Sequence, residues 1–377
     1  MADILSLEKA RQRRRIVKRI LFWLAIFLLV VGLFLIYVNR DQLRNFDAGV
    51  LLGEKGGDAS FPVDLPSSNS YRMLSTSSKL LLLTDTHLYV YNKAGKLLTS
   101  YQHGLNNPSA ALSEVSCVLY ERGTSGYAVM TLNTLRTETY QTSGTVASVS
   151  CSDDGQLCVI ESGTRYVSEL IVYNVRQTEV YRWQTQELVT AVDFAGRNTL
   201  AAISLDASGG ELVSKISVIP LNQEEFLASM TFPGNLLLSL DCKDGGQIVA
   251  IGDQAAVSIT QDGKLLATYD YGGDGISYCD NSGEAIVLVL GDYVSYKTND
   301  VVVLDAGLNE LGRRESDKEA LSLSTRGYEA VVLFENGLLR WDGQTFAYQA
   351  CAYGNLEAAL FSGEIVLRTS SQLCLLS

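Results

Sequence analysis

Few residues in this chain have side chains suited to chemistry, and they lie far apart. The only two histidines, His87 and His103, are 16 residues apart. A metal site built on paired imidazoles needs HxH or HxxxH spacing, or cysteines nearby in sequence. Neither condition holds, so both are read as exposed turn histidines. The seven cysteines, at 117, 151, 158, 242, 279, 351 and 374, include no CxxC pair. An odd, scattered set makes neither a zinc site nor a disulfide framework, and most are expected to be small buried apolar residues. Cys151 and Cys158 differ because they flank the turn Asp153-Asp154-Gly155-Gln156. If that hairpin sets them opposite each other on one face, their Cβ atoms lie about 4.5–5.5 Å apart, and a disulfide needs only local adjustment.

Carboxylates alternate with glycines in Tyr269-Asp270-Tyr271-Gly272-Gly273-Asp274-Gly275, followed by Asp280 and Asn281. Such a stretch can wrap calcium, which takes about six to eight oxygens. The spacing is not that of an EF-hand, and no bidentate glutamate stands at the required offset. Asp and Gly are also the ordinary residues of strand connections, and that reading is preferred. Asp270 or Asp274 could also serve an envelope-carbohydrate hydrolase or lyase if carboxylates were paired about 5–10 Å apart across a central mouth. Tyr101, Tyr140, Tyr181, Tyr269 and Tyr271 fall near expected strand ends, where converging rings could stack on a peptide or a sugar; sheet packing explains them equally well. No GxSxG, P-loop or suitably placed GxGxxG occurs. No catalytic residue, cofactor or metal ligand is assigned, and the chain is not expected to be an enzyme.

The elements that must position these residues are strands. After residue 60 no sustained 3.6-residue apolar period appears. Short runs such as KLLLLTD, HLYVYN, QLCVIES, ELIVYN, EAIVLVL and DVVVLD alternate with turn residues instead. The segment Asn92–Tyr101, NKAGKLLTSY, recurs as Thr260–Tyr269, TQDGKLLATY, at an offset of 168 residues. That is four units of 42, within the about 40–45 residues of a four-stranded propeller blade. Turns between the first two strands of each unit are placed near Ser78, Glu114, Gly155, Gly196, Gly245, Gly283, Gly327 and Gly363. Eight such turns predict eight blades, with seven as the alternative. The last unit has room for three strands only, and Ser60–Leu65, SFPVDL, is expected to supply its outer strand. Strands from both ends would then close the ring and remove its free edges.

The amino-terminal end is different in kind. Ile20–Val38 is an uncharged apolar run of 19 residues, which as a helix spans roughly 28 Å, the thickness of a bilayer core. Arg11, Arg13, Arg14, Arg15, Lys18 and Arg19 precede it, so a retained span would keep the amino terminus in the cytoplasm. A signal peptide has a shorter core and a small-x-small cleavage site, which Tyr37-Val38-Asn39-Arg40 does not offer. The expected organisation is a basic cytoplasmic tail over 1–19, a transmembrane helix over 20–38, a linker over 39–59 and an extracytoplasmic propeller over 60–377. Residues 1–40 carry eight Lys and Arg against two acids, whereas 41–377 carry 22 against 40. An acidic surface of that kind disfavours nucleic acid as a partner.

A short basic tail, one span, a Gly-containing linker and degenerate DGxLL-type repeats together resemble an uncharacterised family of single-pass membrane proteins from clostridia and related Gram-positive bacteria. Its ectodomains look like quinoprotein or WD40-type propellers. The resemblance implies the fold and no known activity. The regular Trp-Asp blade endings of WD40 repeats are missing, the one Trp-Asp being Trp341-Asp342. The Ala-x-Asp-x-x-Thr-Gly-x-x-x-Trp repeat of quinoprotein dehydrogenases is missing too, so quinone binding is not carried over. The sequence therefore predicts an all-β, eight-bladed propeller behind one transmembrane α-helix. Its expected role is a binding or scaffolding platform at the plasma membrane with an envelope protein as partner, or alternatively a ligand sensor or assembly subunit.

Overall fold

The structure is a computed structural model that describes residues 61–207, 209–291 and 299–376. Every regular element among them is a β-strand, and the strands form eight antiparallel sheets of four. Blades 1 to 7 occupy 71–102, 108–140, 145–185, 188–233, 237–270, 275–316 and 320–350, each in the order a-b-c-d from the centre outward. Blade 8 takes its inner three strands from 357–375 and its outermost from Val63–Asp64, with Val63 opposite Leu373 and Asp64 opposite Gln372. All eight expected a-b turns are present, and the ring closes with strands from both ends of the described chain.

The middle strands explain the continuous apolar runs. Leu80, Leu81, Leu82 and Leu83 are all buried. Leu81 and Leu83 face blade 2, while Leu80 and Leu82 face blade 8, so a strand buried on both faces shows no polar alternation. Eight apolar clusters result, one in each gap between neighbouring blades. The 168-residue repeat relates the c-d turns of blades 1 and 5, where Gly95 and Gly263 adopt φ of 79° and 78°. A β-carbon there would be strained, which is why both copies of the turn carry glycine.

The inner strands carry a feature invisible in the sequence. In blades 3 to 7 the a strand is bulged near its start, with Ala147, Thr190, Leu238, Ser277 and Leu321 as the extra residues. Bulges bend and twist a strand and re-aim its side chains. The third residue past each bulge in blades 4 to 7 is Asp193, Asp241, Asp280 or Ser324, so these four occupy equivalent positions. The basic segment 1–19 expected to be a cytoplasmic tail, the apolar run 20–38 expected to be a transmembrane helix, and the expected linker 39–59 lie outside the described residues. Among the described residues no helix is long and apolar enough to cross a membrane.

Candidate functional site

The eight a strands enclose a central channel with a cavity of about 1250 Å³, lined from every blade. Its two openings differ. One lies on the turn face, where the a-b turns gather, and the other on the connector face, where each d strand leads into the next blade. Carboxylates crowd the turn end: Glu114, Asp153, Asp154, Asp193, Asp241 and Asp280 all line the cavity.

Most of these carboxylates are held by the neighbouring blade. The Ser77 amide donates to Glu114 Oε1 at 2.9 Å, joining blade 1 to blade 2. The Glu114 amide donates to Asp153 Oδ1 at 2.8 Å, and Arg197 Nε to Asp154 Oδ2 at 3.0 Å, joining blades 2, 3 and 4. The Cys242 amide donates to Asp193 Oδ2 at 2.8 Å. The Lys243 ammonium of blade 5 donates to the Asn281 and Gly283 carbonyls of blade 6. The Thr325 amide donates to Asp280 Oδ2 at 2.8 Å, and the Leu360 amide to Ser324 Oγ at 3.2 Å. Ser75 Oγ donates to the Leu360 carbonyl at 2.7 Å and closes the circuit from blade 8 to blade 1. Every adjacent pair of blades is thus linked by a polar contact around the channel. Asp193, Asp280 and Ser324 make the same bond from the same position, which shows the repeat at the level of chemistry.

The connector face has its own set of carboxylates. Asp85, Glu121, Glu161 and Asp253, at or just past the ends of b strands, accept the amides of Asn69, Asn106, Gly144 and Leu236 in the connector entering their own blade. Acidic residues in this propeller therefore recur as staples for backbone donors that the sheets leave unpaired.

Burial dominates the electrostatics of the channel. It pushes the Asp241 carboxyl up to about 7 against the pull of Lys243 Nζ at 2.7 Å, with Asp193 and Asp280 adding to the rise. Asp193 is raised for the same reason, despite the Cys242 amide it accepts. Burial also raises Glu114, but the Ser77 hydroxyl and amide and the Arg326 guanidinium outweigh it and leave the group lowered. Three cysteines line the cavity, Cys151, Cys242 and Cys279. Burial pushes the Cys151 thiol up to about 12 and raises the other two. A thiol so raised is not the thiolate that nucleophilic chemistry requires.

The residues singled out in the sequence do not converge. Asp270 ends the outer strand of blade 5 and accepts the Gly272 amide at 2.7 Å. Asp274 follows in the connector, whereas Asp280 and Asn281 stand at the far end of the next inner strand, Gly275–Asp280. The stretch is therefore a turn and a strand, with its carboxylates at opposite faces of the ring. Among the described residues no group of three or more His, Cys, Asp or Glu side chains is placed to hold a metal ion. The histidines are not exposed as expected. Both are half-buried; His103 Nε2 meets the Thr84 carbonyl at 3.2 Å, and the Leu105 amide donates to His103 Nδ1. Cys151 and Cys158 are not opposite each other either. Cys151 pairs with Leu157 and Ser150 with Cys158, so the two thiols point to opposite faces, and all seven cysteines are free. A register shift of one residue reverses the face of every side chain in a strand. The five tyrosines lie on or beside outer strands, with Tyr140 stacked on Tyr127 and Tyr271 buried between blades 5 and 6. They do not gather at a mouth.

A closed ring of eight four-stranded blades defines the chain as a β-propeller. It belongs to a family of unknown function, DUF5711, whose profile matches residues 62–336. Among solved structures it is similar to BamB from Moraxella catarrhalis, with a TM-score of 0.53 and 10% identity over 83% of this chain and 100% of that one. Hsv2 from Kluyveromyces lactis is similar too, with a TM-score of 0.50 and 10% identity over 75% of this chain and 98% of that one. No curated protein matches the sequence significantly. At such identity the likeness is one of fold, on which many functions are built.

Proposed function

We propose that this protein is a membrane-anchored propeller that acts as a binding or scaffolding platform on the outer side of the plasma membrane. The observation that carries the scaffolding reading is the polar circuit around the channel. Most of the carboxylates that could have formed a reactive centre are instead acceptors between blades, and they make the ring a rigid support for its surface loops. The anchored topology rests on the apolar run Ile20–Val38 behind the basic cluster from Arg11 to Arg19. The acidic balance of 41–377 favours a protein partner over a polyanion.

Crosslinking intact cells that express the tagged full-length chain, followed by mass spectrometry, tests the platform. A specific envelope protein should be recovered only when the propeller is present. A propeller-deleted chain that captures the same set would overturn the reading. Protease added outside intact cells should remove the propeller and leave the basic tail; protection of the propeller would overturn the topology.

A further inference from the structure

The connector-face opening of the channel is uneven. Leu188, Leu238, Leu321 and Leu356 lie at or near the starts of the inner strands of blades 4, 5, 7 and 8, with 46%, 49%, 37% and 46% of their surface exposed, and Tyr278, 37% exposed, stands midway along that of blade 6. Tyr353, in the connector between blades 7 and 8, is 73% exposed. Leu238 and Leu321 are the extra residues of two bulges, so the strand distortion itself presents them at the rim. At the same end blades 1 to 3 carry Arg72, Ser109 and Thr145. Three blades of the same ring thus carry no exposed large apolar side chain on their inner strands, and propeller packing does not demand one in the other five. A set of exposed apolar side chains confined to one sector of an otherwise acidic domain marks an interaction surface.

Charge says what the surface fits. Asp274, Asp317, Glu319 and Glu335 stand exposed on the connectors and the b-c turn of the apolar sector, with no side-chain hydrogen bond or ion pair among the described residues. Lys318, between two of them, is already bonded to Asn336 Oδ1. Arg72, Arg122 and Arg165 all belong to blades 1 to 3. We propose that blades 4 to 8 dock a basic amphipathic segment of a second polypeptide on the connector face. Its aliphatic side chains would seat on the arc from Leu188 to Leu356, and its Lys or Arg side chains would meet the four free acids. The proposal rests on the platform reading and names the chemistry of the partner.

The probe is a short fluorescent peptide of alternating leucine and lysine, titrated by anisotropy onto the full-length chain in zwitterionic nanodiscs, with empty nanodiscs subtracted. It should bind more tightly than the same peptide with glutamate for lysine or serine for leucine. The double variant Leu238→Ser, Leu321→Ser should weaken it at least about tenfold. Leu98→Ser with Leu266→Ser, exposed positions on outer strands, should leave it unchanged. Matching thermal unfolding of both variants shows that the fold is intact. Equal binding of the three peptides, or loss of binding only in the outer-strand variant, overturns the proposal while leaving the cell-crosslinking result to stand or fall alone. A concentration-dependent dimer abolished by the Leu238 and Leu321 changes would assign the face to a second copy and overturn it as well.

Discussion

The Arg326 guanidinium of blade 7 reaches past blade 8 to the Glu114 carboxylate of blade 2, with Nη2 and Oε1 2.5 Å apart. Its other terminal nitrogen donates to the Ser75 carbonyl of blade 1 at 3.2 Å. Neighbouring blades are already joined by apolar clusters, but this contact joins blades that share no interface. It spans the turn end of the channel across blades 8 and 1, and it braces the ring from within.

Glu114 is the hub of that brace, because it also accepts the Ser77 amide and hydroxyl. Glu114→Ala is therefore expected to cost about 1–2 kcal/mol in urea unfolding. Arg326→Ala should cost less, about 0.5–1 kcal/mol, because the pair is partly exposed and screened by solvent. In a double-mutant cycle the two should be non-additive. Additive effects would show that the contact contributes nothing.

Gly95 and Gly263 offer a comparison within one molecule. Both sit at positive φ in equivalent turns, so alanine at either should cost about 1–2 kcal/mol from the backbone alone. A β-carbon on Gly263 would also come within 2.4 Å of the Ala228 Cβ, whereas on Gly95 it would meet the Val63 and Phe61 side chains at 3.1 and 3.2 Å. Gly263→Ala is expected to be the more damaging by thermal unfolding. The reverse order would mean that the outer strand of blade 8 yields less readily than blade 4.

Those two glycines were legible in the sequence as a repeat, and so were the eight a-b turns and the borrowed strand. All of these are local patterns: a period, a turn residue, an apolar run. The polar circuit was not legible. Glu114 and Asp153 are 39 residues apart, Glu114 and Arg326 are 212 apart, and nothing in either neighbourhood marks them as partners. Asp193, Asp241 and Asp280 each precede a turn, which was the available signal, but their equivalence depends on bulges that shift the count by one residue. The same one-residue sensitivity undid the Cys151 and Cys158 pairing.

Closure by Val63–Asp64 is the weakest joint in the covalent sense and can be tested there. Val63 packs against the cluster between blades 8 and 1, and the Leu65 amide donates to the Ser371 carbonyl at 2.7 Å. Val63→Asp should cost about 2 kcal/mol by placing a charge against that apolar contact. Limited proteolysis should then cut first within blade 8. Cutting elsewhere first would show that another gap is the weaker one.

All seven cysteines are free, and their environments differ. Iodoacetamide added in denaturant without reductant should label seven thiols. In the folded protein Cys117 and Cys158 should be protected, because both are wholly buried. A labelled count two short of seven would identify a disulfide, and one mapped to Cys151 and Cys158 would contradict the strand register of blade 3.

Asp241 gives the fold a pH dependence of unusual sign. Its carboxyl is raised to about 7 in the folded protein by burial, and its unfolded value is near 3.9. A raised carboxyl stabilises the fold fully below the unfolded pKa, and that contribution is lost as pH rises through the folded pKa. Glu179 and Glu310, lowered by their hydrogen bonds to an arginine, act in the opposite direction. Their stabilisation is present above about pH 4.5 and is lost on further acidification. The two effects occupy different windows, so a decline in melting temperature between about pH 4 and 7 reports Asp241 with its raised neighbour Asp193. Asp241→Asn should flatten that decline. It should also lower stability at pH 5 little, because the carboxyl it replaces is already neutral there and the Asn281 and Gly283 carbonyls still hold the Lys243 ammonium. A variant that keeps the wild-type slope would show that Asp241 ionises normally beside Lys243 and that the pull of the ammonium prevails over burial.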